Sequence, residues 1–311
     1  MKTNRRSFWG RLKRLVWMLI ACVLVLAGLQ FYRSQQPLPQ GLNHYGQWHS
    51  VSHVRFWSDV TGIGPGGNRL SDQQIFDRLF SLIEQSRRFI LLDMFYFNSF
   101  GAESQDRPLS SELTQRLISQ RQRYPKMQIT LITDPINQVY GSIPSVHLQH
   151  LRKAGIRVVI TRLEALHDSN PVYSMFWRSL LRYAGPGEPG ETLKNPIGEG
   201  RISVPSMFEL INFKANHRKT MVADHGDEYV AFVSSANPHD ASWAHDNIAV
   251  EFKGPAVMDL LETENSVLKL SGEEPFVIKR SAHELEADST LKIAVRTESA
   301  IRDTIIGLID E

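Results

Sequence analysis

His217 and Lys219 stand two residues apart in the stretch NHRKTMVADHGDEYVAFVSSANPHD, residues 216–240. An imidazole can attack phosphorus or move a proton, and a neighbouring ammonium can neutralise a non-bridging phosphate oxygen. The stretch otherwise reads as a buried strand, on which residues two apart share a face. His217 and Lys219 are therefore expected to point together, with Arg218 and Thr220 pointing away. Asp224 lies an odd number of positions from His217, beside the turn His225-Gly226-Asp227, and a structural role in that turn is expected of it. The next strand, residues 229–233, leads into Ser234, Ser235, Ala236 and Asn237, and a hairpin would return that hydroxyl and amide to the pair. Imidazole, ammonium, amide and hydroxyl on one patch make a phosphate site. The bland alternative is a hydrogen-bonded core histidine beside a lysine that guards an edge strand. The added spacing to Asp224, Ser235 and Asn237 favours the phosphate reading.

These residues need a scaffold, and the chain supplies an alternation of strands and helices. Ser71 is a plausible N-cap for a helix on which Ile75, Leu79, Leu82 and Ile83 share a face. FILLDMFYF, residues 89–97, is a nearly continuous apolar run of the kind found in buried central strands. A helix over 110–123, a strand over 128–133, a helix over 146–154 closed by Gly155 and a strand over 157–161 follow. This order predicts an α/β sandwich with a mixed, mainly parallel sheet.

The 311 residues are 42% hydrophobic and 22% charged, ordinary globular composition. A net charge of +2 gives no global basic field, which argues against nucleic acid as a partner. The single cysteine, Cys22, excludes an intrachain disulfide and a cysteine zinc cluster. Residues 15–29, LVWMLIACVLVLAGL, are uncharged and long enough to cross a bilayer with snorkelling flanks. Lys2, Arg5, Arg6, Arg11, Lys13 and Arg14 precede them with no acidic residue. The positive-inside bias thus places a basic tail (1–14) in the cytoplasm, an anchor (15–32) in the membrane and the remainder outside. The rival, a cleaved signal peptide, lacks a well-placed small-residue site. Residues 33–50 read as a linker and 51–290 as the main domain.

Two further segments stand out. Residues 171–191, PVYSMFWRSLLRYAGPGEPGE, hold an aromatic and basic helix before a Gly/Pro-rich loop. It is read as a helix packed on the core, or as an interfacial helix with Tyr173, Phe176 and Trp177 among headgroups and Arg178 and Arg182 at lipid phosphate. At the far end, Ile301, Asp303, Ile305, Leu308, Ile309 and Asp310 repeat Ile75, Asp77, Leu79, Leu82, Ile83 and Glu84 at one offset. Residues 291–311 are accordingly expected to begin a second, truncated half.

His217-x-Lys219-x4-Asp224 followed by Ser234-Ser235-x-Asn237 resembles the signature of the phospholipase D superfamily. The resemblance spans residues 52 to 311 and is nearest to the bacterial cardiolipin synthases and related membrane-anchored proteins. It implies a metal-independent, cofactor-free phosphodiester mechanism through a phosphohistidine. His217 would be nucleophile or general acid; Lys219, Ser235 and Asn237 would bind phosphate; Asp224 would support the catalytic set. A downstream carboxylate, Asp246 or Glu251, would orient an imidazole. Ser234 replaces the usual glycine. The family builds one site from two such motifs, and His147, His150 and His167 lack the pattern, so a second half-domain or a homodimer is needed. The expectation is a phospholipid-directed enzyme in the bacterial inner membrane with an extracytoplasmic domain. A phosphodiesterase acting on nucleic acid or another polar substrate, and an inactive tethered fragment, are the alternatives.

Overall fold

The computed structural model describes residues 3–51, 53–185, 192–277 and 289–310. Lys2, Glu311 and the Gly/Pro-rich residues 186–191 lie outside the described residues. In chain order the helices are α1 (Thr3–Ser34), α2 (Ile75–Gln85), α3 (Leu109–Arg123), α4 (Val146–Lys153), α5 (Pro171–Ser179), α6 (Val204–Asn212), α7 (Ala256–Leu270) and α8 (Ser299–Asp310). The strands are β1 (His49–Ser50), β2 (Val54–Ile63), β3 (Arg69–Gln73), β4 (Phe89–Met94), β5 (Gln128–Thr133), β6 (Arg157–Ile160), β7 (Leu193–Lys194), β8 (Arg201–Ile202), β9 (Lys219–His225), β10 (Glu228–Ser234), β11 (Asn247–Lys253) and β12 (Lys292–Ile293).

Eight strands form one sheet in the order β3-β2-β11-β10-β9-β4-β5-β6. The sheet is mixed, as expected, but the weight of parallel pairing is a correction. Only β4–β5 and β5–β6 are parallel. The pairs from β3 across to β4 are antiparallel. The reason lies in the connections: α3 and α4 provide the crossovers that parallel neighbours require, whereas β9–β10 is a tight hairpin and β2–β3 a short one.

Alternation along the central strands divides two cores. Ile90, Leu92, Met221, Ala223, Val230 and Phe232 pack with α2, α3 and α4 on one face. Phe89, Leu91, Val222, Ala231 and Phe252 pack with α7 on the other. The side chain of Leu42, in the stretch after α1, is buried in this second core.

Local readings differ from the structure in two places. Ser71 does not cap α2: it lies inside β3, where its hydroxyl meets Thr61 Oγ1 at 2.8 Å. The buried carboxylate of Asp59 instead accepts from the Ile75 amide at 2.9 Å and closes the helix start from the sheet. The strand read over 89–97 ends at Met94: the Phe95 amide still donates to the Arg218 carbonyl, but those of Tyr96 and Phe97 turn to the side-chain oxygens of Asn237 and Asn137. The repeat also has unequal environments. Ile75, Leu79, Leu82 and Ile83 are buried, whereas Ile301, Ile305, Leu308 and Ile309 on α8 are exposed.

Asp224 is resolved by this frame. Its buried carboxylate, near the far end of β9, accepts from the amides of Arg87 (3.1 Å), Arg88 (2.9 Å) and Phe89 (2.8 Å). It ties the start of β4 to β9 and satisfies amides that would otherwise be orphaned. The supporting catalytic role expected of it is corrected to this structural one. Asp224→Asn removes the ionic acceptor and is expected to cost about 2–4 kcal/mol of stability. A lowered unfolding midpoint in detergent micelles, with the ability of His217 to be modified by diethyl pyrocarbonate retained in the folded protein, is the measured outcome.

Candidate active site

The site sits at the end of the sheet where β4 and β5 finish and β9 begins. Asn216, the residue before His217, is held from two sides. Its amide N–H donates to Asp134 Oδ2 (2.8 Å), and its side-chain Nδ2 donates to both oxygens of Asp93 (2.9 and 2.8 Å). Asp93 and Asp134 are buried at or just beyond the C-terminal ends of neighbouring parallel strands. Burial pushes the Asp134 carboxyl up to about 7, against the lowering effect of its two backbone donors. Burial, together with the nearby Glu264, pushes Asp93 well above the usual carboxylate range.

His217 lies just outside β9, and its side chain is exposed. Lys219 opens the strand and is buried. The Lys219 ammonium lies 3.2 Å from His217 Nδ1 and 3.4 Å from Nε2, and donates to the His217 carbonyl at 2.9 Å. The Phe95 ring borders both groups, its centroid 4.5 Å from that of the imidazole and 5.1 Å from the Lys219 Nζ. Desolvation and the Lys219 charge both lower the pKa of His217. Burial lowers Lys219 to about 8. The pair thus holds a neutral imidazole, the form that carries a lone pair for attack, beside a cation still mostly charged at neutral pH.

The other expected site residues fall in different places. Asn237 stays near this corner: its Oδ1 accepts from the Tyr96 amide at 3.1 Å, and the Tyr96 ring lies 4.2 Å from that of Phe95. Ser235 does not line the cleft. Its hydroxyl donates to Asn247 Oδ1 (2.7 Å) and accepts from the Ile248 amide (3.1 Å), while Ser234 takes the cleft-lining position. Asp246 accepts from the Thr61 amide at 2.7 Å, at the β2–β11 edge. Glu251 is paired with Arg78 (2.7 Å), Trp57 (3.0 Å) and His53 (3.3 Å) on the α2 side of the sheet. Neither carboxylate orients His217. Both lie on β11 or its entry, separated from β9 by β10, so their partners come from β2 and α2.

Several site residues were missed from the sequence. Asp93 was visible as the one charge inside FILLDMFYF, a placement that calls for a partner. Phe95 and Tyr96 belonged to the same run but were read as strand core. Arg218 and Thr220, on the face opposite Lys219, both bond Glu264 Oε1, at 3.3 and 3.0 Å. An open cleft of about 770 Å³ adjoins His217 and Lys219 and runs between the sheet and residues 293–298. Val233, Val250, Phe252, Leu260 and Val295 give it an apolar wall. Among the described residues, no group of three or more His, Cys, Asp or Glu side chains could hold a metal ion.

Lys219→Met tests the coupling. Removing the cation should raise the titration midpoint of His217, followed by NMR, towards its ordinary value. The folded pKa of Lys219 lies below the unfolded one, so the native state binds fewer protons between about 8 and 10.5. Burying the ammonium therefore opposes folding below that window and opposes it less as pH rises through it. The same variant should unfold at a higher midpoint at pH 7 while losing affinity for inorganic phosphate; an unshifted His217 midpoint would disprove the coupling.

No family model matches the chain, and no curated protein matches it. Among solved structures it is similar to a phospholipase D family member, Nuc from Salmonella typhimurium. Identity is 12%, covering 70% of this chain and 95% of that one, with a TM-score of 0.37. NucT from Helicobacter pylori is 12% identical over 72% of this chain and all (100%) of that one, with a TM-score of 0.38. Phosphatidylserine synthase from Haemophilus influenzae Rd KW20 is 9% identical over 74% of this chain and 38% of that one, with a TM-score of 0.39. Each is a likeness at 12% identity or below.

Proposed function

We propose that this chain is a membrane-anchored phosphodiesterase or phosphatidyltransferase of the phospholipase D superfamily, cardiolipin synthase-like, acting on phospholipids. The observation that carries this reading is the His217–Lys219 pair at the side of a cleft with an apolar wall. A phosphate group against the ammonium would leave room for acyl carbon along Val233, Phe252 and Leu260. A polar or nucleic-acid substrate is less well served. Arg218, Lys219 and Arg296 on the cleft are offset by Glu264 and Glu298, and nucleic-acid affinity grows with uncompensated cations. The apolar helix α1 supports the same choice: Phe8–Ser34 is long and apolar enough to cross a membrane. The basic residues before it favour a cytoplasmic N-terminus in the bacterial inner membrane, with the site on the far side.

In the first step a ring nitrogen of His217 attacks phosphorus. The bond from phosphorus to the departing alkoxide breaks, and that oxygen takes a proton from a general acid. In the second step water or an acceptor alcohol attacks the phosphohistidine, loses its proton to the same group, and frees the imidazole. Lys219 neutralises charge that grows on the non-bridging oxygens in both steps. The proton-transferring group would be a second histidine, from a second half-domain or a second copy of the chain. Asn216 positions the nucleophile through Asp93 and Asp134.

His217→Ala is expected to lower the turnover of phosphatidylglycerol by at least about 10²–10⁴ in the complete assembly, without a change in folding. Activity should rise with pH as His217 loses its proton, and fall above about 8 as Lys219 loses its own. Val233→Asp should raise KM for long-chain lipid and leave hydrolysis of bis(4-nitrophenyl) phosphate near its original rate. Near-unchanged turnover in His217→Ala would reject the chemistry; equal losses on both substrates in Val233→Asp would reject the lipid assignment.

A further inference from the structure

A second surface carries a pattern that the phosphate chemistry does not use. Val172 and Phe176 lie one turn apart on α5, Leu180 closes that helix, and Tyr183 follows three residues on in the 3-10 turn (Leu181–Ala184). They are 72%, 45%, 70% and 71% exposed. The reverse side of α5 makes the packing contacts: Ser174 and Trp177 are buried, and Tyr173 Oη donates to the Phe208 carbonyl at 3.0 Å. The expectation that Trp177 and Arg178 meet lipid is therefore corrected; the core holds one, and Asp168 holds the other.

That same Asp168 fixes where the stripe lies. Its carboxylate accepts from Arg178 of α5 (2.8 and 3.1 Å) and from Gln30 of α1 (2.7 Å), and it pairs with Lys214 at 2.9 Å. Gln30 is the first polar side chain after the apolar run 15–29. The junction thus binds α5 to α1 at the level where the apolar run ends. Phe31 and Tyr32 are exposed at this level, where aromatic rings favour a membrane–water boundary. Arg182, its guanidinium 4.9 Å from the Tyr183 ring centroid, adds a cation at the rim of the stripe.

We propose that residues 172–183 are an interfacial foot, seated in the headgroup layer of the bilayer that α1 crosses. Val172, Phe176, Leu180 and Tyr183 meet the upper acyl chains, and Arg182 meets lipid phosphate. The Asp168 junction places the stripe at that depth, which selects the bilayer as its occupant over a second copy of the chain. The inference rests on the reading of α1 as a membrane anchor and is independent of the phosphodiester chemistry.

The test uses the full chain in a Cys22→Ser background, reconstituted into vesicles of phosphatidylcholine and phosphatidylglycerol. A nitroxide is attached singly at Leu24→Cys, Leu180→Cys, Tyr183→Cys or the remote, exposed Ile63→Cys. Collision with oxygen against collision with a water-soluble nickel chelate reports depth. The expected result is an acyl environment at 24, an interfacial one at 180 and 183, and water at 63. Water at 180 and 183 with lipid at 24 overturns the foot and leaves the anchor standing. Water at 24 overturns both. Spin–spin broadening at 180 without oxygen access assigns the stripe to a second copy and overturns the proposal. None of these readouts needs catalytic activity, so loss of turnover leaves them interpretable.

Discussion

The placement of the reactive imidazole depends on one double hydrogen-bonded clamp, Asn216 between Asp93 and Asp134. Each carboxylate stands at the end of a parallel strand, and the asparagine ties both to the chain just before β9. Without it His217 would be held only from its C-terminal side, where the Phe95 amide donates to the Arg218 carbonyl. With it, the antiparallel half of the sheet is registered against the parallel half at the point where chemistry would occur. Buried polar groups satisfied this fully set a unique geometry, since each alternative would leave an unpaired amide or charge.

Burying so many ionisable groups has an electrostatic cost that the surroundings partly offset. Arg218 lies between the Asp93–Glu264 side of the sheet and the open cleft, and Thr220 adds a neutral donor to Glu264. Lys219 has less compensation. Its ammonium meets an imidazole, a backbone carbonyl and an aromatic ring, so burial depresses its affinity for a proton. A site that keeps an under-compensated cation is better prepared for an incoming anion than one already neutralised by a carboxylate. The same placement costs the fold stability.

How far the sequence could be read depended on the range of each interaction. The His-x-Lys spacing is local, and alternation alone brings the two side chains together. The α/β class followed from apolar periodicity, and so did α2, α3, β5 and β6. Ser71 failed as a cap because Asp59, distant in sequence but adjacent across the β2–β3 hairpin, took the role. Glu251 and Asp246 failed as partners of His217 because sheet order, which no local pattern encodes, puts β10 between them. The preference for parallel strands overestimated the crossovers: after the excursion through α5 and α6 the chain re-enters the sheet as β9, antiparallel to β4, and turns back as the β9–β10 hairpin. Asp93 was legible in principle, since an acid in an uninterrupted apolar run has few reasons to be there.

The sheet order also has a consequence for synthesis. β2 and β3 are made early, yet the partner of β2 is β11, as in the pairing of Trp57 with Ala249. On a ribosome, the β2–β3 hairpin therefore emerges with one unsatisfied edge and waits while β4 to β10 are translated. β4, β5 and β6 can assemble among themselves in that interval, since their crossovers are contiguous. Closure of the full sheet is then a late, long-range event, slowed by loop entropy. Throughout that wait the nascent chain displays a strand edge able to pair with a neighbour, an aggregation hazard that the topology itself creates.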